Sequence, residues 1–342
     1  MIAAHTTDAW TRAADRQSAA FGWMLVLGGF AAPLFLWLAG LGVALSAARL
    51  ERAGGGRSAA VQAICRRGLE IFILAFLFRL QAFIVSPGNH LVTIFRVDIL
   101  NVMGPGIVAA GLLWALGTTP PARAALYGAV AAATALATPV IRTAAVVDRL
   151  PVWLQWYTRP AGDLTTFTLF PWTGFVFAGA ACGVLLSAIG SMRAEGRMQA
   201  AFAGAGLILV ALGFYTAARP SIYLQSSFWT SSPTWFAIRT GLVMVGVAAV
   251  YMIAVRAVRF GRRLRPLERF GRSSLFVYWI HVELVYGYAS WPLRLRLPLW
   301  GALVACAAFS LLMYGAIVFR DRIVENWRAR RRGRPAPEAA MA

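Results

Sequence analysis

Nine long apolar stretches, each wide enough to cross a bilayer, divide the chain, and the arginines between them fall mainly on alternate loops. Such stretches restrict the fold severely. A backbone surrounded by lipid has no water to bond, so it must satisfy its N–H and C=O groups internally, and helices do this within one segment. A crossing helix needs roughly 20 mostly apolar residues. The stretches cover residues 22–48, 68–86, 97–116, 124–141, 166–190, 200–217, 236–258, 271–290 and 299–319. The fold class expected is all-α: a polytopic membrane helix bundle forming one domain over residues 1–327. A disordered basic tail is expected over 328–342.

Composition agrees with a chain immersed in lipid. Hydrophobic residues make up 59% and charged residues 13%, against about half and about a quarter in soluble domains. The net charge of +20 invites comparison with nucleic-acid binders, but its placement argues for topology instead. All 33 basic residues are arginine. If the end of the first stretch is cytoplasmic, 22 arginines lie on that side and nine on the other, with Arg79 and Arg239 inside stretches. This is the positive-inside bias. It predicts a multi-pass membrane protein with a cytoplasmic C-terminus and no nucleic-acid partner. Nine crossings then put the first residues outside. Met1-Ile2-Ala3-Ala4-His5 reads as the tail of a further helix before these nine, with His5 at its outer end. Cys65, Cys182 and Cys306 are far apart and show no metal-ligand spacing, so no metal and no disulfide framework is expected.

Several stretches carry helix breakers. Gly28-Gly29 with Pro33, Gly104-Pro105-Gly106 and Pro171 are read as breaks of the kind tolerated where backbone lines a cavity. Ionisable side chains within a bilayer cost several kcal/mol each and usually face a wet interior. Here Arg79, Asp98, Asn101, Arg239, His281 and Glu283 form, with His5, a polar layer towards the outer side. Asp98 and Asn101 are three apart and share a helix face, while Ser274, Tyr278, His281 and Tyr288 form one stripe. Competing structural readings stand beside the functional one. Arg79 with Asp98 suits a buried ion pair, Arg239 suits snorkelling to the interface, and His281 suits an interhelical hydrogen bond.

The cytoplasmic side carries a different signal. Cys65-Arg66-Arg67-Gly68 opens one stretch, and Arg269-Phe270-Gly271-Arg272-Ser273-Ser274 opens another. Guanidinium groups and hydroxyls at a helix N-terminus favour anions, phosphate above all. Arg66, Arg67, Arg269, Arg272 and Ser273 are therefore candidate contacts for a phosphorylated ligand, with lipid headgroups as the bland alternative.

Taken in order, MIAAHTTDAW, PLFLWLAGLGVALSAAR, CRRGLEIF, FRVDILNVMG and FGRSSLFVYWIHVELVYG resemble the integral-membrane acyltransferases. The nearest likeness is to bacterial relatives of the heparan-α-glucosaminide N-acetyltransferase catalytic domain. The resemblance implies transfer of an acyl group from cytoplasmic acyl-CoA, with acetyl-CoA as the expected donor. The acceptor is an amine or hydroxyl on an extracytoplasmic sugar-containing molecule. His5 matches the family's outer histidine, as general base or acyl carrier, while the family's arginine on the same helix would precede Met1. Asp98 is then a candidate to orient an imidazole, Asn101 and Tyr278 to steady an oxyanion, and His281 to join the catalytic set. The competing reading, from broken helices and a polar midplane alone, is a transporter for an amphipathic or anionic solute.

Overall fold

The computed structural model describes residues 1–87, 90–261 and 265–332. Among these residues it is helical, with no β-strand and two isolated bridges. The helices are α1 (Ile2–Trp10), α2 (Ala19–Gly28), α3 (Ala31–Leu50), α4 (Gly56–Val85), α5 (Ile99–Leu116), α6 (Pro120–Thr143), α7 (Val152–Thr158), α8 (Leu169–Ser187), α9 (Met192–Ala217), α10 (Pro233–Arg259), α11 (Arg265–Arg272), α12 (Ser274–Tyr286) and α13 (Leu299–Arg332). The chain divides into two compact units. One holds Met1–Gly28 and Ala257–Ala342, the other Gly29–Arg256.

Among the described residues, seven helical stretches are long and apolar enough to cross a membrane. The first, Ala19–Val85, contains two of the expected crossings. It is broken where Gly54 (φ +86) and Gly56 (φ +72) take conformations that only glycine adopts easily, between α3 and α4. The eighth expected crossing, 271–290, is realised as α12, with only 13 residues. At 1.5 Å per residue it is about 20 Å long, shorter than the roughly 30 Å hydrocarbon layer. At the other end, α13 continues to Arg332, through the first residues of the expected disordered tail; 333–342 lie outside the described residues.

In the larger unit the helices meet at glycines. A Cβ on Gly40 would sit 1.9 Å from the Val176 carbonyl oxygen, and one on Gly179 would sit 1.9 Å from the Trp37 oxygen. Helices α3 and α8 therefore approach backbone to backbone, as small residues allow in lipid, where apolar side chains gain nothing by leaving their surroundings. The Gly104-Pro105-Gly106 segment, expected as a break, is continuous helix within α5. Gly104 serves contact instead: a Cβ there would meet the Gly68 oxygen at 2.8 Å. A break does occur after Gly28, between α2 and α3. Arg239 is buried beside it, donates to the Gly29 carbonyl oxygen, and stacks on Phe30 at 4.7 Å and Trp235 at 4.9 Å. The expected snorkelling is thus replaced by capture of a carbonyl that the broken helix leaves without an intrahelical donor. Trp37, Cys182, Phe202, Val243 and Met244 complete the packing.

In the smaller unit, Ala9, Trp10 and Val285 form a core with Leu297 and Phe309 against it. The end of α1 is held by the turn that follows the 3₁₀ helix Tyr288–Leu293. Leu295 N–H donates to the Ala9 oxygen (3.0 Å), Leu297 N–H to the Trp10 oxygen (2.9 Å), and Arg12 N–H to the Leu297 oxygen (2.8 Å). Asp15 accepts the Leu299 N–H at the start of α13 (2.7 Å) and Arg12 Nε (2.9 Å).

Two outcomes are expected. Replacing Gly179 by Val forces α3 and α8 apart at backbone, costing at least the about 1–3 kcal/mol of ordinary overpacking. Gly42→Val on α3, where a Cβ meets nothing within 4 Å, is milder; thermal melting in detergent distinguishes them. The Leu299 N–H and Arg12 hold the Asp15 carboxyl below the usual carboxylate range. Its contribution is therefore full above the unfolded value of about 3.9 and is lost as pH falls through the lower folded value. The melting difference between native protein and Asp15→Asn should narrow as the pH drops below about 4.

Candidate active site

His5 lies in the middle of α1, one and a half turns before its end rather than at the outer end expected for it. Asp8 follows at i+3 on the same face. Its partners settle the proton arrangement. The Tyr286 hydroxyl donates to Asp8 Oδ2 at 2.9 Å. A phenol has one proton to give, so the 3.2 Å contact between that oxygen and His5 Nδ1 has the imidazole as donor. Asp8 is also paired with Arg16, whose Nη2 donates to Asp8 Oδ1 (2.6 Å) and to the Asp8 carbonyl oxygen (2.5 Å). A chain of bonds thus runs from His5 Nδ1–H through Tyr286 and Asp8 to Arg16, and it leaves the lone pair of neutral His5 on Nε2.

His281 is fully buried on α12. Its Nδ1 lies 2.6 Å from the Val277 carbonyl oxygen, one turn earlier. A carbonyl only accepts, so Nδ1 carries the proton and Nε2 the lone pair. Among the described residues, that buried Nε2 has no hydrogen-bond partner. Buried polar atoms are nearly always satisfied, and each exception calls for a physical explanation. The two imidazole centroids are 5.3 Å apart at an interplanar angle of 50°. Tyr278 stands 6.1 Å from the His281 ring. Two imidazoles, each held at Nδ1 and so carrying its lone pair on Nε2, can take a proton from a hydroxyl or amine brought to them.

In the larger unit, Asp98 caps α5 and forms a reciprocal capping box with Asn101. Asn101 Oδ1 accepts the Asp98 N–H at 3.0 Å. Asp98 Oδ2 binds Arg79 at 3.1 Å, and Oδ1 accepts the Thr166 hydroxyl at 3.1 Å. Asn101 Nδ2 donates to Tyr157 Oη at 3.3 Å. Burial raises the Tyr157 hydroxyl above its ordinary value, against the opposing effect of the Asn101 bond.

The protein-family comparison adds the deciding observation: residues 1–228 match the model of the heparan-alpha-glucosaminide N-acetyltransferase catalytic domain. The chain belongs to that family. It is a family of membrane acetyltransferases, so the chain is a transferase by membership. No curated protein matches the chain. The matched region contains His5, Asp8, Asp98 and Asn101, whereas Tyr278, His281 and Tyr286 follow it.

Against this family background, the structure sorts the residues expected from sequence. His5, His281 and Tyr278 come together in the smaller unit. Asp98 and Asn101 fall in the larger unit, bound to each other and to Arg79, Thr166 and Tyr157. Tyr288 leaves the expected stripe, because α12 ends at Tyr286 and a 3₁₀ turn follows. Arg66 and Arg67 do not open a helix. The helix begins at Gly56, so their backbone N–H groups are already used, and both side chains pair with Glu70 at 3.0 and 3.3 Å. Arg269 and Arg272 occupy the last turn of α11 rather than a helix start, while Ser273 precedes α12 and its Oγ accepts Arg320 at 2.8 Å. Among the described residues, no cluster of potential metal ligands is present.

Sequence reasoning missed Asp8 and Tyr286. Asp8 was readable from its one-turn spacing after His5. Tyr286 had no local signal, since its partners lie 278 and 281 residues away. It also missed the Glu51–Arg123 pair, at 2.8 and 2.9 Å, with Trp114 Nε1 donating to Glu51 at 2.8 Å. These residues and Arg52 line a cavity of about 820 Å³ in the larger unit.

The Asp98 geometry predicts a structural dependence on its cation. Arg79→Met leaves a buried carboxylate without its main partner and should cost about 3–5 kcal/mol. Adding Asp98→Asn should recover part of the loss while keeping the cap, as read by thermal melting in detergent.

Proposed function

We propose that the protein transfers an acyl group, acetyl in the first instance, from cytoplasmic acyl-CoA to an amine or hydroxyl of an extracytoplasmic glycan or glycolipid. The bacterial inner membrane is the proposed location, with the C-terminus cytoplasmic. The observation that carries this reading is the pair of imidazoles with their lone pairs on Nε2, that of His281 buried without a partner, in a member of an acetyltransferase family.

The chemistry follows from their protonation. His5 Nε2 accepts the proton of the acceptor O–H or N–H as that atom attacks the thioester carbonyl. The tetrahedral intermediate collapses, the carbon–sulfur bond breaks, and the proton passes from the imidazolium to the departing thiolate. His281, its ring 5.3 Å from that of His5, is the proposed second proton acceptor, and the hydroxyl of Tyr278 is the candidate for steadying the oxyanion. Asp98 and Asn101 are assigned here to holding the start of α5, since their polar atoms are engaged there.

For the donor, Ser273 and Arg320 at the start of α12, with Arg269 and Arg272 on the preceding helix, are the proposed contacts for phosphate. His281 lies seven residues along the same helix, about 11 Å by the helical rise. Arg66 and Arg67 are left with a general attraction for anionic lipid headgroups.

The test is transfer of labelled acetyl from acetyl-CoA to endogenous glycolipid in membranes containing the protein. His5→Gln and His281→Gln should each lower kcat by about 10²–10⁴, the range for loss of a positioned acid–base group. Undiminished transfer by His5→Gln, or solute uptake independent of CoA, would overturn the proposal.

A further inference from the structure

The Asp8–Tyr286 pair lies outside every role assigned above, and it resolves a chemical difficulty in using His5 as a base. A neutral imidazole free in water prefers its proton on Nε2, leaving the lone pair on Nδ1. A base that works through Nε2 needs the opposite tautomer, and some acceptor must hold the Nδ1 proton. In many histidine sites a carboxylate does this directly. Here a tyrosine stands between.

We infer that Tyr286, with Asp8 behind it, is the positioning residue that fixes the His5 tautomer and so directs the Nε2 lone pair towards the reacting atoms; this rests on the acyl-transfer reading only for what those atoms are. Three bonds carry the inference. The Asp8 carboxylate, held by Arg16 at 2.6 Å, accepts the Tyr286 proton at 2.9 Å. The phenol oxygen, its own proton engaged, is left as an acceptor. His5 Nδ1 is the group that meets it, at 3.2 Å. The T-shaped approach of the two rings, 80° at 5.6 Å between centroids, points the edge of one towards the face of the other and fixes the imidazole plane. Each link polarises the next, so the carboxylate acts on the imidazole without touching it. His281 reaches the same tautomer by another route, through the Val277 carbonyl of its own helix. The two bases are therefore set independently, and loss of the relay alters His5 alone.

The relay also accounts for why α1 is tied down so firmly. The bonds from residues 295–297 to Ala9, Trp10 and Arg12, and the Trp10 Nε1–H donated to the Val285 oxygen at 3.4 Å, hold α1 against the end of α12 that carries Tyr286. A shift of one helical position between them would remove the hydroxyl from Nδ1.

The experiment is ¹⁵N NMR of histidine-labelled protein in lipid bilayers. The chain has only three histidines, so His90→Gln and His281→Gln assign the signals. Native His5 should show a protonated Nδ1 and a bare Nε2. Tyr286→Phe, which removes one oxygen atom, should move His5 to the opposite tautomer or a mixture, with His281 unchanged as the internal control. Acyl transfer should fall about tenfold to a hundredfold in kcat at similar KM, the range for removing a histidine's outer partner. Asp8→Glu should retain more of both properties than Asp8→Ala. A native His5 protonated at Nε2, or a Tyr286→Phe protein with the native His5 tautomer, would overturn the inference. A tautomer shift with no transfer activity in any form would leave the relay standing and sink the acyl-transfer reading instead.

Discussion

Close contact of helix backbones at glycine underlies the larger unit. In lipid, a leucine gains nothing by leaving its neighbours for another leucine, so helices hold together by dispersion over short distances and by polar contacts. Gly40 and Gly179 bring α3 and α8 to a distance that any side chain would forbid, and Gly68 and Gly104 do the same for α4 and α5. The apolar residues facing outward, such as Leu69, Ile73, Leu112 and Leu207, are correspondingly exposed, as lipid-facing positions should be.

The same environment governs the charges. An ion or an open carbonyl within an apolar layer must find a partner. Asp98 meets Arg79 and Thr166, Glu51 meets Arg123 and Trp114, and Arg239 meets the Gly29 oxygen. Each of these sits where a helix begins, ends or breaks, because there the backbone itself leaves groups unpaired. Polar residues within the expected crossings are therefore not all parts of a reaction centre. Their partners sort them.

The histidines differ from these groups in what they leave open. Asp98 and Arg239 are bound by neighbours whose geometry closes a helix end. His5 and His281 are each bound at Nδ1, while the His281 Nε2 stays buried without a partner. Leaving a lone pair unsatisfied in the interior has a cost, and a transferase has a use for it. In the proposed acyl transfer that lone pair accepts a proton.

The all-α membrane fold and most crossings were legible in the sequence, because length, apolarity and arginine placement are local properties. His5 stood out in the sequence as a candidate, and Asp8 could have been read from its one-turn spacing. The sequence could not show that Gly104-Pro105-Gly106 packs rather than breaks, since a glycine suits both and only the neighbouring helix decides. It placed Arg66 and Arg67 at a helix start because apolarity begins at residue 68, whereas the hydrogen-bonded helix begins at Gly56. Periodicity reports where lipid can lie, and backbone bonding reports where helix runs. Only the tertiary structure joined Tyr286 to His5 and Asp8, because hydrogen bonds between residues nearly 280 positions apart leave no trace in spacing. It likewise placed His5 and His281 in one compact unit and gave Asp98 and Asn101 partners within the other, as partner choice depends on distances in space that composition does not encode.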